Sequence, residues 1–306
     1  MHIGIISDSD SLIPLVYTLA AQKLQVYLFY SPSQDSFINQ KVLGFVKQFQ
    51  ISITEEKNSK QDLYQWLIAG KYDACFIIGY KHLIQLNRLN GCSTPLFNIH
   101  FGPLPSFKGP VPIFWQLKKG NEKLGLAIHV LSQKFDEGQV IWAKEIDNLP
   151  HYNFQLVKHL FSQHCVEGVF FILRILINKL PLTYIDNSTS VAAYQKRPEL
   201  KDVLIDWKEM TATEIHNLIR AGNPWNKGAA SFFKGQELKL MDATMIDNGQ
   251  PTTNSAGGMI VNDDNCLHII CSDGKVINVN MVFFNDCFIP TYQCKHWGLV
   301  KGEKLG

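Results

Sequence analysis

Short apolar runs alternate with longer stretches of mixed polarity in the first half of the chain. The apolar runs are rich in Ile, Phe and Tyr and are bounded by charged or turn-forming residues, which is typical of β-strands. They lie at 2–7, 24–30, 72–80 and 96–101. The stretches between them have the length and composition of helices, at 9–22, 35–49 and 59–69. This alternation predicts βαβ units and a mostly parallel sheet covered on both faces.

The apolar pattern changes in the second half of the chain. Segment 125–129 predicts another strand, followed by a loop at 136–138 and one more strand. Further on, two short strand-like runs flank Asp273-Gly274, a dipeptide that favours a hairpin turn. We therefore predict an α/β fold with a doubly wound, mostly parallel sheet, followed by a smaller β-barrel-like domain. The predicted domains are 1–200 and 201–306, with the boundary near the polar segment 194–202.

The turn after the first strand is where a dinucleotide fingerprint would lie. Asp8-Ser9-Asp10-Ser11 has no glycine to admit a pyrophosphate and two acids that would repel one. The chain also lacks a G-x-x-x-x-G-K-[ST] motif. The sequence therefore argues against a nicotinamide dehydrogenase and against a P-loop enzyme.

Composition and charge narrow the class of protein further. Hydrophobic residues make up 46% of the 306 residues and charged residues 18%, as in ordinary soluble proteins, and the net charge of +2 does not attract polyanions. The seven cysteines form no C-x-x-C pair, so neither a disulfide framework nor a zinc ribbon is expected. With no signal-peptide pattern and no apolar run of about 18 residues, we expect a cytoplasmic protein without a membrane partner.

Two polar side chains end the strand-like run at 96–101. Asn98 and His100 alternate with apolar residues, and four prolines and two glycines follow within a dozen residues. Prolines fix φ and glycines allow backbone to approach a ligand closely, so this loop is expected to hold the pair in position. Because ligands of open α/β sheets bind at the carboxyl ends of strands, Asn98, His100 and Asp136 are expected to converge on one cleft.

The same segment resembles a known family. "NIHFGPLPSFKG" at 98–109 resembles the N-I-H-x-S-L-L-P-x-[FY]-[KR]-G signature of the formyltransferases that use 10-formyltetrahydrofolate. "DEGQVI" at 136–141 is similar to the D-x-G-x-[IV] element that follows in this family, and the 36-residue separation of His100 from Asp136 also suits it. Gly102-Pro103-Leu104 stands where the family usually has Ser-Leu-Leu, so we expect a change in the amine pocket rather than in formyl transfer.

The resemblance implies a formyl donor, 10-formyltetrahydrofolate, and no metal. The segment "GYKHLI" at 79–84 is similar to the family loop whose backbone holds the pterin, and 206–240 looks like the linker and opening of the small C-terminal barrel. The implied cofactor-binding residues are Tyr80, Lys81, His82, Leu83, Ile84, Gln133, Phe135 and Gly138, and the implied substrate loop contains Gly102, Pro103 and Gly109.

The chemistry of formyl transfer asks for the residue types that the resemblance identifies. A developing oxyanion needs hydrogen-bond donors, and the attacking amine must lose a proton to a base. By resemblance, Asn98 polarises the formyl oxygen, and His100 stabilises the oxyanion or relays the proton. Asp136 pairs with His100, raises its pKa and helps to accept the amine proton.

Other histidines are weaker candidates. His129 either touches the cleft or serves the packing of its strand, and the sequence leaves both open. His151, His159 and His164 lie in a predicted helix, and a spacing of five between the last two does not match the i, i+4 pattern of metal ligands.

The acceptor is expected to be a small-molecule amine, such as a nucleotide-linked amino sugar. From residue 206 onward the chain has nine Lys and Arg against eleven Asp and Glu, a net charge of −2, and 30–41 contains a single lysine. An enzyme that holds tRNA should instead present a positive surface, so nucleic acid is expected only in the alternative of a methionyl-tRNA formyltransferase. A 10-formyltetrahydrofolate hydrolase and a non-catalytic folate-binding protein are the further alternatives.

Overall fold

The computed structural model describes residues 1–59, 61–186, 191–246 and 257–306. The chain divides into two compact units. The first comprises Met1–Pro112, Gly125–Ile146 and Lys158–Gln195, and the second comprises Ile113–Leu124, Asp147–Val157 and Lys196–Gly306. The predicted domain boundary between residues 200 and 201 stays a prediction.

The first unit is built around a seven-stranded sheet. Its strands are β1 (His2–Ser7), β2 (Gln25–Tyr30), β3 (Ser52–Glu55), β4 (Ala74–Ile78), β5 (Leu96–His100), β6 (Lys123–Val130) and β7 (Val140–Asp147). They are ordered β3-β2-β1-β4-β5-β6-β7, and the strands from β3 to β5 are parallel. The strand order reverses between β1 and β4, which is the position where doubly wound sheets open a crevice for ligands.

Strands β1, β4 and β5 end at the same edge of this sheet. Ser7 pairs with Ile78, and Ile78 pairs with Ile99, so the next residues in each strand leave the sheet at one level. All five residues of β4 are buried, as expected of a central strand covered on both faces. His100 is therefore positioned at the edge where the loops after β1 and β4 also begin.

Strand β6 is antiparallel to β5, with Asn98 opposite His129 and Phe97 opposite Val130. The loop after β6 therefore begins beside the start of β5, and not at the carboxyl end where the sequence argument expected it. The sheet is mixed rather than wholly parallel, and it is the path of this loop that returns Asp136 to His100.

The helices that lie mainly in the first unit are α1 (Ile13–Ala21), α2 (Ser36–Gln48), α3 (Asp62–Ala69) and α5 (Phe154–Ile177). Helix α5 is long and apolar enough to cross a membrane by length and composition, and 44% of its most apolar window is buried. Phe161, Cys165, Val169 and Ile172 are fully buried at intervals of three and four residues. This stripe is typical of a helix that packs one face into a protein core. His151 precedes the helix, so the prediction that it lies on the helix was wrong.

The second unit contains helices α4 (Pro112–Lys119), α6 (Leu200–Val203) and α7 (Ala212–Gly222) and a curled antiparallel sheet. Its strands are β8 (Ala229–Phe233), β9 (Gln236–Ile246), β10 (Ile260–Asn262), β11 (Leu267–Ile270), β12 (Val276–Phe284) and β13 (Cys287–Pro290). Strands β11 and β12 pair as a hairpin around Asp273-Gly274, as predicted. The α/β class with a second, β-rich domain is thus confirmed.

Helix α7 is fixed at both ends within the second unit. At its start, Thr211 accepts a hydrogen bond from the Glu214 backbone, and the Glu214 side chain bonds back to the Thr211 backbone, forming a capping box. Near its end, the buried Arg220 donates to Asn148 Oδ1 and to the carbonyls of Leu149 and Tyr152. Burial lowers the Arg220 pKa to about 10, and these acceptors compensate the guanidinium for lost water.

Candidate active site

Strand β5 places Asn98 and His100 on the same side of the sheet, since successive side chains of a strand alternate between faces. His100 is buried and Asn98 is partly exposed. The strand lies between β4 and β6, so its backbone is fixed by hydrogen bonds on both edges. A rigid strand is the kind of element that holds reactive side chains in a reproducible geometry.

The loop after β5 folds back onto His100. His100 Nε2–H donates to the Phe107 carbonyl oxygen over 2.6 Å, and Phe107 N–H donates to the Pro103 carbonyl over 3.0 Å. A Cβ atom at Gly102 would lie 2.9 Å from both His100 Nε2 and the Phe107 oxygen. The glycine that replaces the family's usual serine thus permits this tight contact.

A distant segment supports the same loop, which sequence reasoning missed. Lys108 N–H donates to the Ala193 carbonyl, and Gln195 N–H donates to the Lys108 carbonyl. Gly109 has a φ of +112°, and a Cβ there would lie 2.1 Å from the Gln195 oxygen. The sequence marked 194–202 only as a polar boundary, and no local signal indicated that its first residues pair with the active-site loop.

Asp136 connects the loop to the strand. Its Oδ2 accepts the Gly109 N–H over 2.9 Å. Its Oδ1 lies 3.3 Å from His100 Nδ1 and accepts from Asn98 Nδ2 over 3.3 Å. Asp136 itself has a φ of +54°, a conformation that aspartate tolerates better than most residues. The three residues that the sequence identified therefore converge around one carboxylate.

The pKa values of His100 and Asp136 follow from their burial and from these contacts. Burial lowers the pKa of His100, and the Asp136 charge and the Phe107 carbonyl oppose this shift without reversing it. The expected rise of the His100 pKa is therefore wrong in its net direction. Burial raises the pKa of Asp136, but the His100 ring and the Gly109 N–H together hold it below its usual value. Both ring nitrogens of His100 face acceptors, the Phe107 carbonyl oxygen at Nε2 and the Asp136 carboxylate at Nδ1.

The contact between His100 Nδ1 and Asp136 Oδ1 can hold one proton. Because Nε2–H already donates to Phe107, neutral His100 presents a lone pair at Nδ1, next to Asp136 Oδ1. One proton placed between these two atoms replaces a contact between two acceptors with a hydrogen bond. The arrangement is suited to accept a proton from a nucleophile that loses it during reaction.

His129 is an additional member of the site. Its Nε2 lies 3.0 Å from Asn98 Nδ2 and 3.7 Å from Asp136 Oδ1, and its ring is buried. The sequence did not distinguish between two roles for this histidine, contact with the cleft and packing of its strand. Its position opposite Asn98 follows from the antiparallel register of β5 and β6, which sequence periodicity does not specify.

The predicted cofactor-binding residues occupy two loops of the first unit. Lys81, His82, Leu83, Gln133 and Phe135 are exposed, and Tyr80 donates its hydroxyl to Glu56 over 2.7 Å. Ile84 is buried in a hydrophobic cluster, so it offers its backbone rather than its side chain. Gly138 lies against the Val130 carbonyl and the His129 ring. The assignment of these residues to cofactor binding stays a prediction.

The other histidines lie outside this site. His159 and His164 are on α5, and His159 contacts Gln163. Within the described ranges, there is no group of three or more His, Cys, Asp or Glu that could hold a metal ion.

Comparison with known proteins identifies the family of this chain. Residues 5–166, more than half of the chain, match the family described as formyl transferase, and residues 199–287 match the formyl transferase C-terminal domain. A methionyl-tRNA formyltransferase from Fervidobacterium nodosum is 28% identical over 208 residues, which cover 64% of this chain and 64% of that protein. The chain thus matches less than two thirds of that relative's length.

Solved structures of sugar formyltransferases share the fold. WlaRD, a sugar 3N-formyl transferase crystallised in the presence of dTDP and 5-N-formyl-THF, superposes with a TM-score of 0.71 at 17% identity, covering 91% of this chain and 97% of that one. An N-formyltransferase from Helicobacter canadensis, in complex with folinic acid and dTDP-3-aminofucose, gives a TM-score of 0.71 at 16% identity, covering 90% and 98%. With both of its domains matched, the chain belongs to the formyl transferase family.

Proposed function

We propose that this protein is an N-formyltransferase that moves a formyl group from 10-formyltetrahydrofolate to the primary amine of a small metabolite, such as a nucleotide-linked amino sugar. The observation that carries the proposal is the convergence of Asn98 and His100 on the Asp136 carboxylate. An amide N–H group can donate to a formyl oxygen as negative charge develops on it, and a carboxylate–imidazole pair can take the amine proton.

The residues of the first unit suit a reduced folate. When bound, 10-formyltetrahydrofolate would supply the formyl group. The loop from Tyr80 to Ile84 leaves β4 at the point where the strand order reverses, which is where ligands of doubly wound sheets bind. Leu83 and Phe135 are large apolar side chains that are 37% and 45% exposed, which suits contact with a flat ring system.

Each residue of the site has a role in this proposal. Asn98 donates an amide hydrogen to the formyl oxygen, and Asp136 receives the amine proton together with His100 Nδ1. Gly102 and Gly109 keep the loop backbone close to His100 and Asp136, which fixes both side chains before substrates bind. Such fixed donors stabilise charge without reorganising during the reaction.

The small-molecule acceptor is supported by charge. The segment from residue 206 onward has a net charge of −2, whereas an RNA-binding surface should be positive. The sugar N-formyltransferases also match over nearly their full length, at 97% and 98% of their chains. We also propose a cytoplasmic location, because the protein would find both a folate donor and an activated sugar there.

The first test is the conversion of 10-formyltetrahydrofolate to tetrahydrofolate by the purified protein, followed by absorbance. The reaction is run with water alone, with a panel of amino-sugar nucleotides and with initiator Met-tRNA. We expect turnover that depends on one amino-sugar nucleotide. Asn98→Ala should lower kcat about 100- to 1000-fold, as expected for the loss of an oxyanion donor, and His100→Ala should lower it at least about 100-fold through the loss of a proton acceptor. Turnover with water alone would instead indicate a hydrolase. Folate binding without any turnover would refute the proposal that the protein is an enzyme.

Methionyl-tRNA formylation is the second candidate, because the Fervidobacterium relative is a methionyl-tRNA formyltransferase. If tRNA were the acceptor, its binding would weaken steeply with salt as counterions are released from the phosphates. We expect no such dependence, and formylation of Met-tRNA with a steep salt slope would replace the sugar proposal.

A further inference from the structure

The Asn98 amide is held by a buried histidine on the neighbouring strand. His129 is directly opposite Asn98 in the β5–β6 pair and is 1% exposed. Asn98 Nδ2 lies 3.0 Å from His129 Nε2, which is closer than its 3.3 Å contact with Asp136 Oδ1. The amide therefore has two partners, and the histidine is the nearer one.

The next residue along the strand fixes the His129 tautomer. His129 Nδ1 is 2.8 Å from the Val130 carbonyl oxygen. A carbonyl only accepts hydrogen bonds, so Nδ1 carries the hydrogen, and the neutral ring then presents a lone pair at Nε2. His129 is consequently an acceptor on the side that faces Asn98.

These acceptors determine the orientation of the Asn98 amide. His129 Nε2 and Asp136 Oδ1 both require a donor, and only the NH₂ end of the amide provides one. If the amide were turned over, its oxygen would face the Asp136 carboxylate. Each amide hydrogen is therefore committed to one partner.

The loop that carries Asp136 packs directly on this histidine. A Cβ atom at Gly138 would lie 1.7 Å from the Val130 oxygen and 2.8 Å from His129 Nδ1. Only glycine allows the loop this close to the His129–Val130 hydrogen bond. The glycine at the third position of Asp136-Glu137-Gly138 thus has a structural reason, which is this close contact with Val130 and His129.

We propose that His129 is a positioning residue for formyl transfer. Its Nε2 holds one Asn98 amide hydrogen permanently, so that the other can move from Asp136 to the formyl oxygen when the donor binds. The 3.3 Å contact with Asp136 is the longer of the two and is the one given up. This inference rests on the proposed function, and it adds a fourth residue that acts only through Asn98.

Three variants separate the contacts of His129. His129→Asn keeps a donor near the Nδ1 position for Val130 but removes the acceptor for Asn98. His129→Gln places an amide oxygen near the Nε2 position and restores that acceptor, and His129→Leu removes both. We expect kcat to fall about 10- to 100-fold in the Asn and Leu variants, with a change in KM for the donor below about twofold, and to recover at least partly in the Gln variant. His159→Asn, on the exposed side of α5, is the control and should keep full activity.

A double-mutant cycle tests whether His129 acts through Asn98. In an Asn98→Ala background, His129→Asn should lower kcat no further, because the group it positions is gone. A full additional loss in that background, or an unchanged kcat in the single variant, would overturn the proposal.

A spectroscopic readout keeps this test separate from the proposed function. In ¹⁵N NMR of the wild-type protein, His129 should show an unprotonated Nε2, and one Asn98 side-chain hydrogen should exchange slowly and lose that protection in His129→Asn. A protonated Nε2, or equal protection in both proteins, would overturn the positioning role even if no acceptor supports turnover. Failure of the proposed function would appear differently, as a wild-type protein that never consumes the donor.

Discussion

Asp136 Oδ1 is the atom around which the site is arranged. It lies 3.3 Å from Asn98 Nδ2, 3.3 Å from His100 Nδ1 and 3.7 Å from His129 Nε2. Because three nitrogen-bearing side chains on β5 and β6 surround this one oxygen, we expect activity to depend on the position of the loop that carries Asp136. At the scale of single residues, the glycines that position this loop are therefore as informative as the proposed catalytic residues.

Compared with a glycine that has a positive φ but free space around it, Gly109→Ala separates the effect of a steric clash from the effect of an unfavourable φ. Its Cβ would lie 2.1 Å from the Gln195 oxygen, so the loop must move and Gly109 N–H should lose Asp136 Oδ2. We expect kcat to fall about 100-fold through misplacement of the site.

Gly91→Ala is the matched control for this substitution. Gly91 also has a positive φ, of +88°, but nothing lies within 4 Å of its Cβ position. It should cost about 1 kcal/mol of stability and leave the kinetic constants unchanged. Equal kinetics in the two variants would show that close approach at Gly109 is unimportant. Formyl transfer, and the free energy of unfolding in denaturant, provide the measurements.

At the scale of elements, the local pattern predicted most strands and helices but not all of their ends. The strand predicted at 72–80 is limited to Ala74–Ile78, and it ends there because Gly79 turns with a φ of +65°. The helix predicted at 9–22 begins with a 3₁₀ turn, Asp10–Leu12, before α1. Strand β3 was missed because none of its four residues is buried, which leaves no apolar signal.

The capping box of α7 can be tested without touching the site. Thr211→Ala removes the acceptor for the Glu214 N–H, and it should lower the stability of this helix by about 1 kcal/mol. Native-state hydrogen exchange of the α7 amides measures the effect. Thr213→Ala, an exposed change in the same turn, should stay within about 0.5 kcal/mol. If both variants exchange equally fast, the box contributes nothing to the helix.

At the scale of the whole molecule, two buried histidines make stability depend on pH. Burial lowers the pKa of His100 in the first unit, and burial together with the Arg220 charge lowers the pKa of His216 in the second. The unfolded chain therefore binds more protons than the folded one as the pH falls below about 6.5. The free energy of unfolding therefore decreases as the pH falls.

The His216 part of this effect can be isolated. Between pH 7.5 and 5.5, each of these histidines lowers the free energy of unfolding by at most about 1.4 kcal/mol per pH unit. His216→Phe should remove the contribution of His216 to the pH dependence of α7 stability. Hydrogen exchange of the α7 amides at the two pH values provides the measurement. An identical loss of protection in the variant and the wild type would contradict the assignment.

The sequence by itself determined the class of fold, the Asn98, His100 and Asp136 set and the membership of the family. These properties follow from local signals, because the alternation of apolar runs reflects which residues must be buried, and the short motifs sit in single loops. The role of the prolines and glycines after β5 could also be predicted from the sequence, because each of them restricts or frees the φ angle of its own residue.

Only the tertiary structure decided how the site is held. The antiparallel register of β6 places His129 opposite Asn98, the backbone of Ala193 and Gln195 supports the loop at Lys108, and burial reverses the expected pKa shift of His100. Each of these depends on the approach of segments far apart in the chain. Register and approach distances are set by the packing of whole elements against one another, and a local pattern of polar and apolar residues does not encode them.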